Sequence, residues 1–133
     1  MPKSRSREIL MGRSCVGLAL LSIALLATRT HAETVTATAL FKAYESNEIV
    51  AEDSYNGRRI NISGRINGFK QAMMGAPIVL LEAGSPSNLV SCHFPKKAQA
   101  EVARWKIGDH INVSCIIKYR MGEAIHASAC STG

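Results

Sequence analysis

Residues 58–69 read RRINISGRINGF, a clear β-strand pattern. Its residues alternate between two sets, so every second side chain lies on the same face of a β-strand. One set is polar or charged, and the other consists of Ile60, Ile62, Gly64 and Ile66. Gly64 and a further glycine at position 68 suit a bend in a strand. The pattern therefore predicts a long, curved first strand with one buried face.

Four further strand-like runs follow this stretch. They are Ile78–Glu82, Leu89–Phe94, a run marked by Ile111, Val113, Cys115 and Ile117, and Ile125–Ser131. Proline is favoured at the first position of a helix, and the pattern predicts a helix from Pro95 to about Arg104. The order β-β-β-α-β-β predicts a mainly β protein, the five-stranded Greek-key barrel known as the OB-fold. An α+β sandwich of the same content is the alternative.

The residues before the first strand predict a helical lead-in at residues 33–57. Within residues 35–46, the apolar side chains recur on one helical face. Asn47 is a favourable N-cap for a second short helical turn that extends through Asp53. The predicted organisation is therefore a lead-in with an N-terminal helix, followed by the barrel at residues 58–133.

The first 32 residues predict a secretory signal peptide. Basic residues up to Arg13 precede the apolar run Val16–Ala27, and Thr30-His31-Ala32 places small residues at the two positions that a signal peptidase reads. The run is shorter than the roughly 20 apolar residues of a membrane span. We expect cleavage after Ala32, a periplasmic or secreted mature chain, and no stable membrane span after cleavage. An uncleaved anchor is the alternative.

Length and composition limit the class of protein. With 133 residues, the chain has room for one domain. Its 47% apolar and 20% charged content exclude a disordered chain, and its single long apolar run excludes a multi-span membrane protein. The net charge of +6 suggests a polyanion partner, but residues 1–32 contain five basic residues and one acidic residue. The mature chain has a net charge of only +2, which gives little support to nucleic acid as a partner.

The cysteines after the predicted cleavage site are Cys92, Cys115 and Cys130. An exported chain meets oxidising conditions, so we expect one disulfide and one free thiol. Residues 121–124 suit a two-residue hairpin turn with Gly122 at the first central position. Counting outward from this turn pairs Cys115 with Cys130, and directly opposed residues are within disulfide range.

One feature of the hairpin argues against this register. The register places Ile117 opposite Ser128 instead of opposite an alanine, so the apolar faces of the two strands do not match. A three-residue turn matches the apolar faces but moves the cysteines out of direct opposition. A bulge before Cys130 reconciles both patterns.

Several motifs, taken in order and spacing, resemble a known family. They are Leu40-x-x-x-Tyr44-x-x-Asn47-Glu48-x-x-Ala51-Glu52-x-x-Tyr55-x-Gly57, Ile62-x-Gly64-x-Ile66, Val90-x-Cys92-x-Phe94, Ile107-Gly108-Asp109-x-Ile111-x-Val113 and a late Cys130. Together they resemble the tRNA_anti-like family of bacterial OB-fold proteins over nearly all of the mature chain. The resemblance implies a small exported OB-fold module with no catalytic residues to carry over. The family is named for its fold likeness to anticodon-binding domains, so the resemblance does not imply tRNA binding.

An OB-fold commonly binds ligands on its second and third strands and on the loops that join strands one to two and four to five. In this chain those loops are residues 70–77 and 119–123. Single-strand binders stack bases on aromatic rings, and of the seven aromatic residues only Phe69 and Tyr119 are placed to face a ligand. We expect a ligand face formed by Phe69, Lys70, Met73, Met74, His93, Tyr119 and Arg120. A solvated surface or a protein interface is the alternative.

The sequence contains no arrangement that predicts an enzyme or a metal site. Soft ligands that suit copper are present without the spacing of a metal site: Met73, Met74, Met121, His93 and His126. Cys92 lies between Val90 and Phe94 on an apolar strand face, so we expect a buried, inert thiol rather than a nucleophile. We expect no catalytic residue, no metal and no cofactor.

These inferences predict an exported, non-enzymatic OB-fold domain that works by binding. We expect a protein or a small ligand of the cell envelope as its partner, and we do not expect nucleic acid. A binder of single-stranded nucleic acid or another polyanion is the second hypothesis, and its affinity should fall steeply with salt. A thiol or metal enzyme is the third, and it should show a convergent pocket of titratable groups.

Overall fold

The computed structural model describes residues 33–132 of the chain. Its elements are β1 (Thr34–Thr36), α1 (Ala37–Ser46), α2 (Glu48–Tyr55), β2 (Arg59–Gln71), β3 (Pro77–Ser85), β4 (Asn88–His93), α3 (Gln99–Val102), β5 (His110–Met121) and β6 (Ala124–Thr132). Short 3-10 turns occupy Met73–Gly75 and Lys96–Ala98. The predicted signal peptide lies outside the described residues. Within residues 33–132, each helix is too short or too polar to cross a membrane.

The strands form one sheet that closes into a barrel. Neighbouring strands follow the order β1-β2-β3-β4-β6-β5, and β2 also pairs with β5. The β1–β2 and β4–β6 pairs are parallel, and the other pairs are antiparallel. Strands β2 to β6 have the topology of an OB-fold, which confirms the predicted fold class. The closing β2–β5 pair shows that the sandwich alternative is not adopted.

The alternating stretch that predicts the first strand forms β2. Ile62 and Ile66 are buried, and Gly64 lies between them on the same face. A Cβ atom at position 64 would stand 3.2 Å from the Cβ of Ala37 and 3.3 Å from the Cβ of Leu81. The missing side chain therefore allows α1 to pack closely against the barrel.

The lead-in contains a sixth strand that the sequence pattern does not predict. Thr34–Thr36 form β1, and α1 begins at Ala37 instead of residue 35. The hydroxyl of Thr36 accepts a hydrogen bond from a backbone N–H in the first turn of α1, so this residue ends the strand and caps the helix. Asn47 accepts the N–H of Val50 at 3.2 Å, which confirms it as the N-cap of the second helix.

The predicted helix Pro95–Arg104 is shorter in the structure than in the sequence pattern. The 3-10 turn Lys96–Ala98 precedes α3, which contains only Gln99–Val102. Val102 is the buried residue of α3, and one buried apolar side chain provides little packing to support a longer helix. The chain then brings Trp105 against Phe94, with ring centroids 5.7 Å apart in an edge-to-face arrangement.

The β5–β6 hairpin contains the predicted disulfide. Gly122 has a φ of 61°, which fits the first central position of a type II′ turn. The disulfide joins Cys115 to Cys130, with Cα atoms 4.2 Å apart. Between the pairs Ser114–Ser131 and Ile116–Ser128, β6 has one residue more than β5, so the predicted bulge before Cys130 is confirmed. The bulge includes Ala129, whose φ is 52°.

Candidate functional site

Three aromatic rings form a row on the outer side of the barrel. They belong to Tyr119 of β5, His126 of β6 and His93 of β4. Tyr119 is paired directly with His126, and their rings stack with centroids 4.8 Å apart and planes at 23°. The rings of His126 and His93 have centroids 5.8 Å apart and planes at 43°. We call these three residues the ring row.

The alternation of each strand places the ring row outside the core. His126 lies between Ile125 and Ala127, which are both fully buried. His93 likewise lies between two buried neighbours. Because successive side chains of a strand point to opposite faces, both histidines point away from the core. The same sequence pattern therefore builds the core and the outer face.

The imidazole ring of His93 is uncharged at neutral pH. Burial, and after it the proximity of His126, lowers the pKa of His93 below its usual 6.5. Its Nε2 lies 3.3 Å from the hydroxyl oxygen of Ser91, which is buried on the same side of β4. His93 is thus held in place by a hydrogen bond and presents a neutral ring.

A groove of about 710 Å³ lies beside His93. Arg59 and Lys97 line it together with His93, and the hydroxyl residues Ser114 and Ser131 add polar atoms. Nη1 of Arg59 donates to the carbonyl oxygen and to Oγ of Ser114, both at 3.2 Å, which orients the guanidinium. Over residues 33–132, no acidic side chain lines the groove and neither cation forms an ion pair. We call it the basic groove, and its charge suits an anionic group.

Phe69 and Lys70 line a different cavity. This cavity of about 220 Å³ also contains Pro77, Val102 and Trp105, so it lies against α3. Phe69 is 39% exposed, and no aromatic contact joins it to the ring row within the described part of the chain. The structure therefore places these two predicted ligand-face residues apart from Tyr119.

The loop between β2 and β3 exposes two methionines. Met73 and Met74 are 91% and 88% exposed. Met74 has a φ of 78° and Gly75 a φ of 85°, so the loop turns sharply at this point. A Cβ atom at Gly75 would lie 3.7 Å from Cε of Lys96, which places this basic residue beside the loop. The two methionines are thus open to solvent, in a loop that lies beside Lys96.

Arg120 contacts the lead-in instead of the ring row. Its guanidinium carbon lies 5.0 Å from the ring centroid of Phe41, and its Nη1 lies 3.9 Å from Oε1 of Glu48. Its Nε donates to the carbonyl oxygen of Gly122 at 2.9 Å. These contacts link the tip of the β5–β6 hairpin to α1 and α2. We therefore leave Arg120 out of the site that we propose below.

Of the seven ligand-face candidates, the structure places His93 and Tyr119 in the ring row, and Phe69 and Lys70 in a separate cavity. His126 lies between the rings of His93 and Tyr119, and the ligand-face prediction omits it. The sequence does contain a signal for it, because His126 alternates with buried residues on the last strand. Arg59 and Lys97 were also omitted, and they meet only because distant segments of the chain converge at the groove.

The free thiol of Cys92 lies in the core. It is fully buried, and burial raises its pKa to about 12. Such a thiol is protonated at neutral pH and is a poor nucleophile. Its sulfur and the two sulfurs of the Cys115–Cys130 disulfide all lie within 4.8 Å of one another. In residues 33–132, this is the one group of three His, Cys, Asp or Glu side chains that converge closely enough to hold a metal ion.

Comparison with protein families identifies one match. The model of the tRNA_anti-like family matches residues 22–127 of this chain. The match includes all of the lead-in, β2 to β5 and the ring row. No curated protein matches the chain.

Two solved structures with similar folds illustrate the architecture. A candidate nucleic acid-binding lipoprotein from Klebsiella pneumoniae subsp. pneumoniae is 13% identical with a TM-score of 0.63, and the alignment covers 77% of this chain and 92% of the other. A candidate aspartyl-tRNA synthetase from Leishmania major Friedlin is 9% identical with a TM-score of 0.52, covering 84% of this chain and 22% of the other. At such low identity these likenesses show the fold alone.

Proposed function

Because this chain belongs to the tRNA_anti-like family, we propose that it is an exported, non-enzymatic OB-fold module that binds an anionic ligand on the outer side of its barrel. In this proposal residues 1–32 are a cleaved signal peptide, residues 33–57 are the lead-in and residues 58–133 are the barrel. The mature protein is then periplasmic or secreted. Its partner is a protein or a small molecule of the cell envelope that presents an anionic group.

The proposal rests on one observation, which is that the ring row and the basic groove share His93. Tyr119 is 44% exposed and stacks on His126, so the two rings offer a flat surface to a planar or apolar group. Arg59 and Lys97 attract an anionic group at the other end of the same surface. A ligand with both kinds of group can contact the two features at once.

A binding role suits the titratable groups better than a catalytic one. Catalysis by acids, bases or nucleophiles needs groups whose pKa values are tuned near the working pH and that converge in a pocket. His93 has a lowered pKa, but within residues 33–132 its neighbours are the other rings of the ring row and the hydroxyl of Ser91, with no acidic partner. Cys92 lies in the core with a raised pKa. These features support a module that binds without reaction.

Single-stranded nucleic acid is the second candidate ligand. Proteins that bind single strands combine a basic groove with aromatic rings on which bases stack. The Tyr119–His126 pair and the basic groove are such a combination. The similar Klebsiella protein is described as nucleic acid-binding, which favours the same candidate. Our expectation that nucleic acid is not the partner therefore has no support in the structure.

Binding to heparin at low salt tests the anionic-ligand proposal. Arg59→Ala with Lys97→Ala should weaken retention about tenfold or more, because charged hydrogen bonds contribute about 1.5–3 kcal/mol each. The matched control is Arg104→Ala with Lys106→Ala, which removes the same charge from exposed residues that do not line the groove. Absence of retention by the parent protein, or equal losses in both double variants, would refute the proposed groove.

Tyr119→Ala separates the two candidate ligands. If single-stranded DNA binds, its bases should stack on Tyr119, and the variant should lose about 1–3 kcal/mol of binding free energy. Fluorescence anisotropy of a short labelled oligothymidylate measures this loss, with heparin retention measured on the same variant. A loss for DNA but not for heparin supports nucleic acid. No DNA binding by the parent, with heparin binding intact, eliminates nucleic acid and leaves the anionic-ligand proposal standing.

A further inference from the structure

A cluster of three sulfur atoms lies in the core, separate from the ring row. Cys92 of β4, Cys115 of β5 and Cys130 of β6 place their sulfurs within 4.8 Å of one another. Their side chains are 0–1% exposed. Two of the sulfurs form the disulfide, and the third is a free thiol. Reduction of the disulfide would therefore leave three thiols held together by three adjacent strands.

The surroundings of the cluster favour a neutral sulfur over a thiolate. The carbonyl oxygen of Val90 lies 4.0 Å from Sγ of Cys92, and that of Ala127 lies 3.9 Å from Sγ of Cys130. A carbonyl oxygen is the negative end of a dipole, so it opposes a nearby anion. The three side chains are also fully enclosed in the apolar core. Any atom bound here must therefore form bonds to three sulfurs without leaving a net charge in the core.

We propose that the reduced chain binds one trivalent arsenic atom, supplied as arsenite, through the sulfurs of Cys92, Cys115 and Cys130. A reductant, either a dithiol or a phosphine, first donates two electrons and opens the Cys115–Cys130 disulfide to two thiols. Arsenous acid then reacts with the three thiols. Three As–O and three S–H bonds break, three As–S bonds form, and three water molecules leave. Arsenic keeps its oxidation state, and the product carries no charge.

The three-sulfur cluster suits trivalent arsenic better than it suits zinc or Cu(I). Structural zinc takes four ligands, and in residues 33–132 no His, Asp or Glu joins the three sulfurs. Zinc held by three thiolates would leave one net negative charge, and Cu(I) held by three thiolates would leave two. Burying such an uncompensated charge in the core is unfavourable. Trivalent arsenic forms three bonds to sulfur and stays neutral.

The distances and the surface also suit the proposal. Trivalent arsenic keeps a lone pair, so its three bonds to sulfur form a pyramid; with bonds of about 2.3 Å, similar to a Zn–S bond, the sulfurs would lie about 3.4 Å apart. The three sulfurs already lie within 4.8 Å of one another, so side-chain rotations of about 1 Å can form this arrangement once the disulfide is open. Of the three cysteines, Cys130 is the one among the residues that line the basic groove, so the cluster lies next to this groove.

Native mass spectrometry of the full chain tests this inference. A Cys15→Ala background removes the only other cysteine. The test uses a phosphine reductant, because a dithiol would itself bind arsenite. The reduced protein should gain one arsenic atom and lose three hydrogen atoms per chain, which reports three As–S bonds. The oxidised protein, with only Cys92 free, should gain none.

Cys92→Ala distinguishes a three-sulfur site from simple capture by two vicinal thiols. This variant keeps Cys115 and Cys130, so its arsenite affinity should fall about tenfold or more, equivalent to about 1.4 kcal/mol or more. Circular dichroism of the oxidised variant checks that the barrel is intact, and Cys92→Ser is the second variant if alanine disturbs the core.

Three results would overturn the inference. The first is a reduced parent chain that forms no three-sulfur adduct. The second is an affinity in the folded Cys92 variant equal to that of the parent. The third is an affinity in the urea-unfolded, reduced chain equal to that of the folded chain, because the fold would then contribute nothing to the site.

Discussion

Leu80 and Leu81 are neighbours of the same chemical type on β3, yet they face opposite sides of the barrel. Leu81 is fully buried in the main core, beside Gly64 and α1. Leu80 is 9% exposed and lies outside that core, with the Gly68 backbone of β2 beside it. The two residues have similar accessible areas, but their surroundings differ. Leu81 belongs to the core cluster that packs against α1, whereas Leu80 does not belong to that cluster.

Because their surroundings differ, the two sides of these strands have separate roles. The inner side consists of apolar residues that exclude water, so it determines stability. The outer side presents the ring row and the basic groove, so it is the side that we propose for binding. A substitution inside should change the free energy of unfolding, and a substitution outside should change affinity. This separation can be tested residue by residue.

The largest expected effect comes from truncating the inner leucine. Leu81→Ala should lower the free energy of unfolding by about 2–5 kcal/mol, because it removes buried methyl groups and leaves a cavity among residues that cannot move in to fill it. Urea denaturation followed by circular dichroism measures the change. The matched variant Leu80→Ala removes the same atoms from the outer side, where neighbouring side chains and water can fill the space. It should lose less than half as much.

Equal losses in the two leucine variants would contradict this separation of roles. They would show that the outer side of β3 is a second core and that its residues are not free to serve a ligand. A smaller loss in Leu80→Ala that is accompanied by weaker heparin retention would support the separation, since the outer side would then contribute to binding more than to stability.

The disulfide is expected to have the next largest effect. It closes a sequence separation of 15 residues between Cys115 and Cys130, and the chain-entropy model gives about 3 kcal/mol for a loop of this length. The double variant Cys115→Ala with Cys130→Ala should lower the free energy of unfolding by about this amount. Cys92→Ala is the control, because it removes a buried sulfur and keeps the disulfide. A double variant no less stable than the control would show that the crosslink does not stabilise the barrel.

Sequence alone predicted the parts of the fold that follow from local periodicity. The alternation of β2 and the Asn47 cap depend on residues close in the chain, and both are present in the structure. The short strand β1 was missed, because three residues are too few to show a period and their partners lie on β2. The length of α3 was overestimated for a similar reason, since tertiary packing and not propensity decides where so short a helix ends.

The β5–β6 hairpin shows why register is harder to predict than strand position. The sequence pattern predicts one bulge, before Cys130. The structure has a second register shift between Ile117 and Tyr119, where β5 has one residue more than β6. The two shifts have opposite sense, so Ile117 lies opposite Ala127 while the register is restored at the cysteines. The conflict between matched apolar faces and matched cysteines is thereby resolved, through a shift that no local pattern indicates.

In the candidate site, too, register is harder to predict than strand position. His93 and Tyr119 could be selected from the sequence because each lies on a predicted strand or turn. Their connection through His126 depends on the register of two strand pairs, Tyr119 with His126 and Ser91 with His126. The basic groove depends on the approach of Arg59 and Lys97, which are far apart in the chain. Alternation thus predicts which side a residue faces, and register determines which residues meet there.

The smallest expected effect is a pH dependence that arises from His93. Its pKa in the folded protein is below the 6.5 of an unfolded chain, because burial and His126 disfavour its charged form. Between these two pKa values the unfolded state binds more protons than the folded state. The stability should therefore be constant above about pH 6.5, fall as the pH drops below that value, and stop falling once the pH is below the folded pKa.

His93→Gln removes this contribution while keeping a polar side chain on the outer face. Urea denaturation at about pH 7.5 and at about pH 5.5 should show a smaller difference in the variant than in the parent, with most of the change at the acidic value. His110→Gln is the control, because it removes an exposed histidine at the start of β5 instead of the half-buried ring. If His93→Gln retains the full pH dependence, proton uptake elsewhere must account for it. The lowered pKa that burial and His126 give His93 would then contribute nothing to stability.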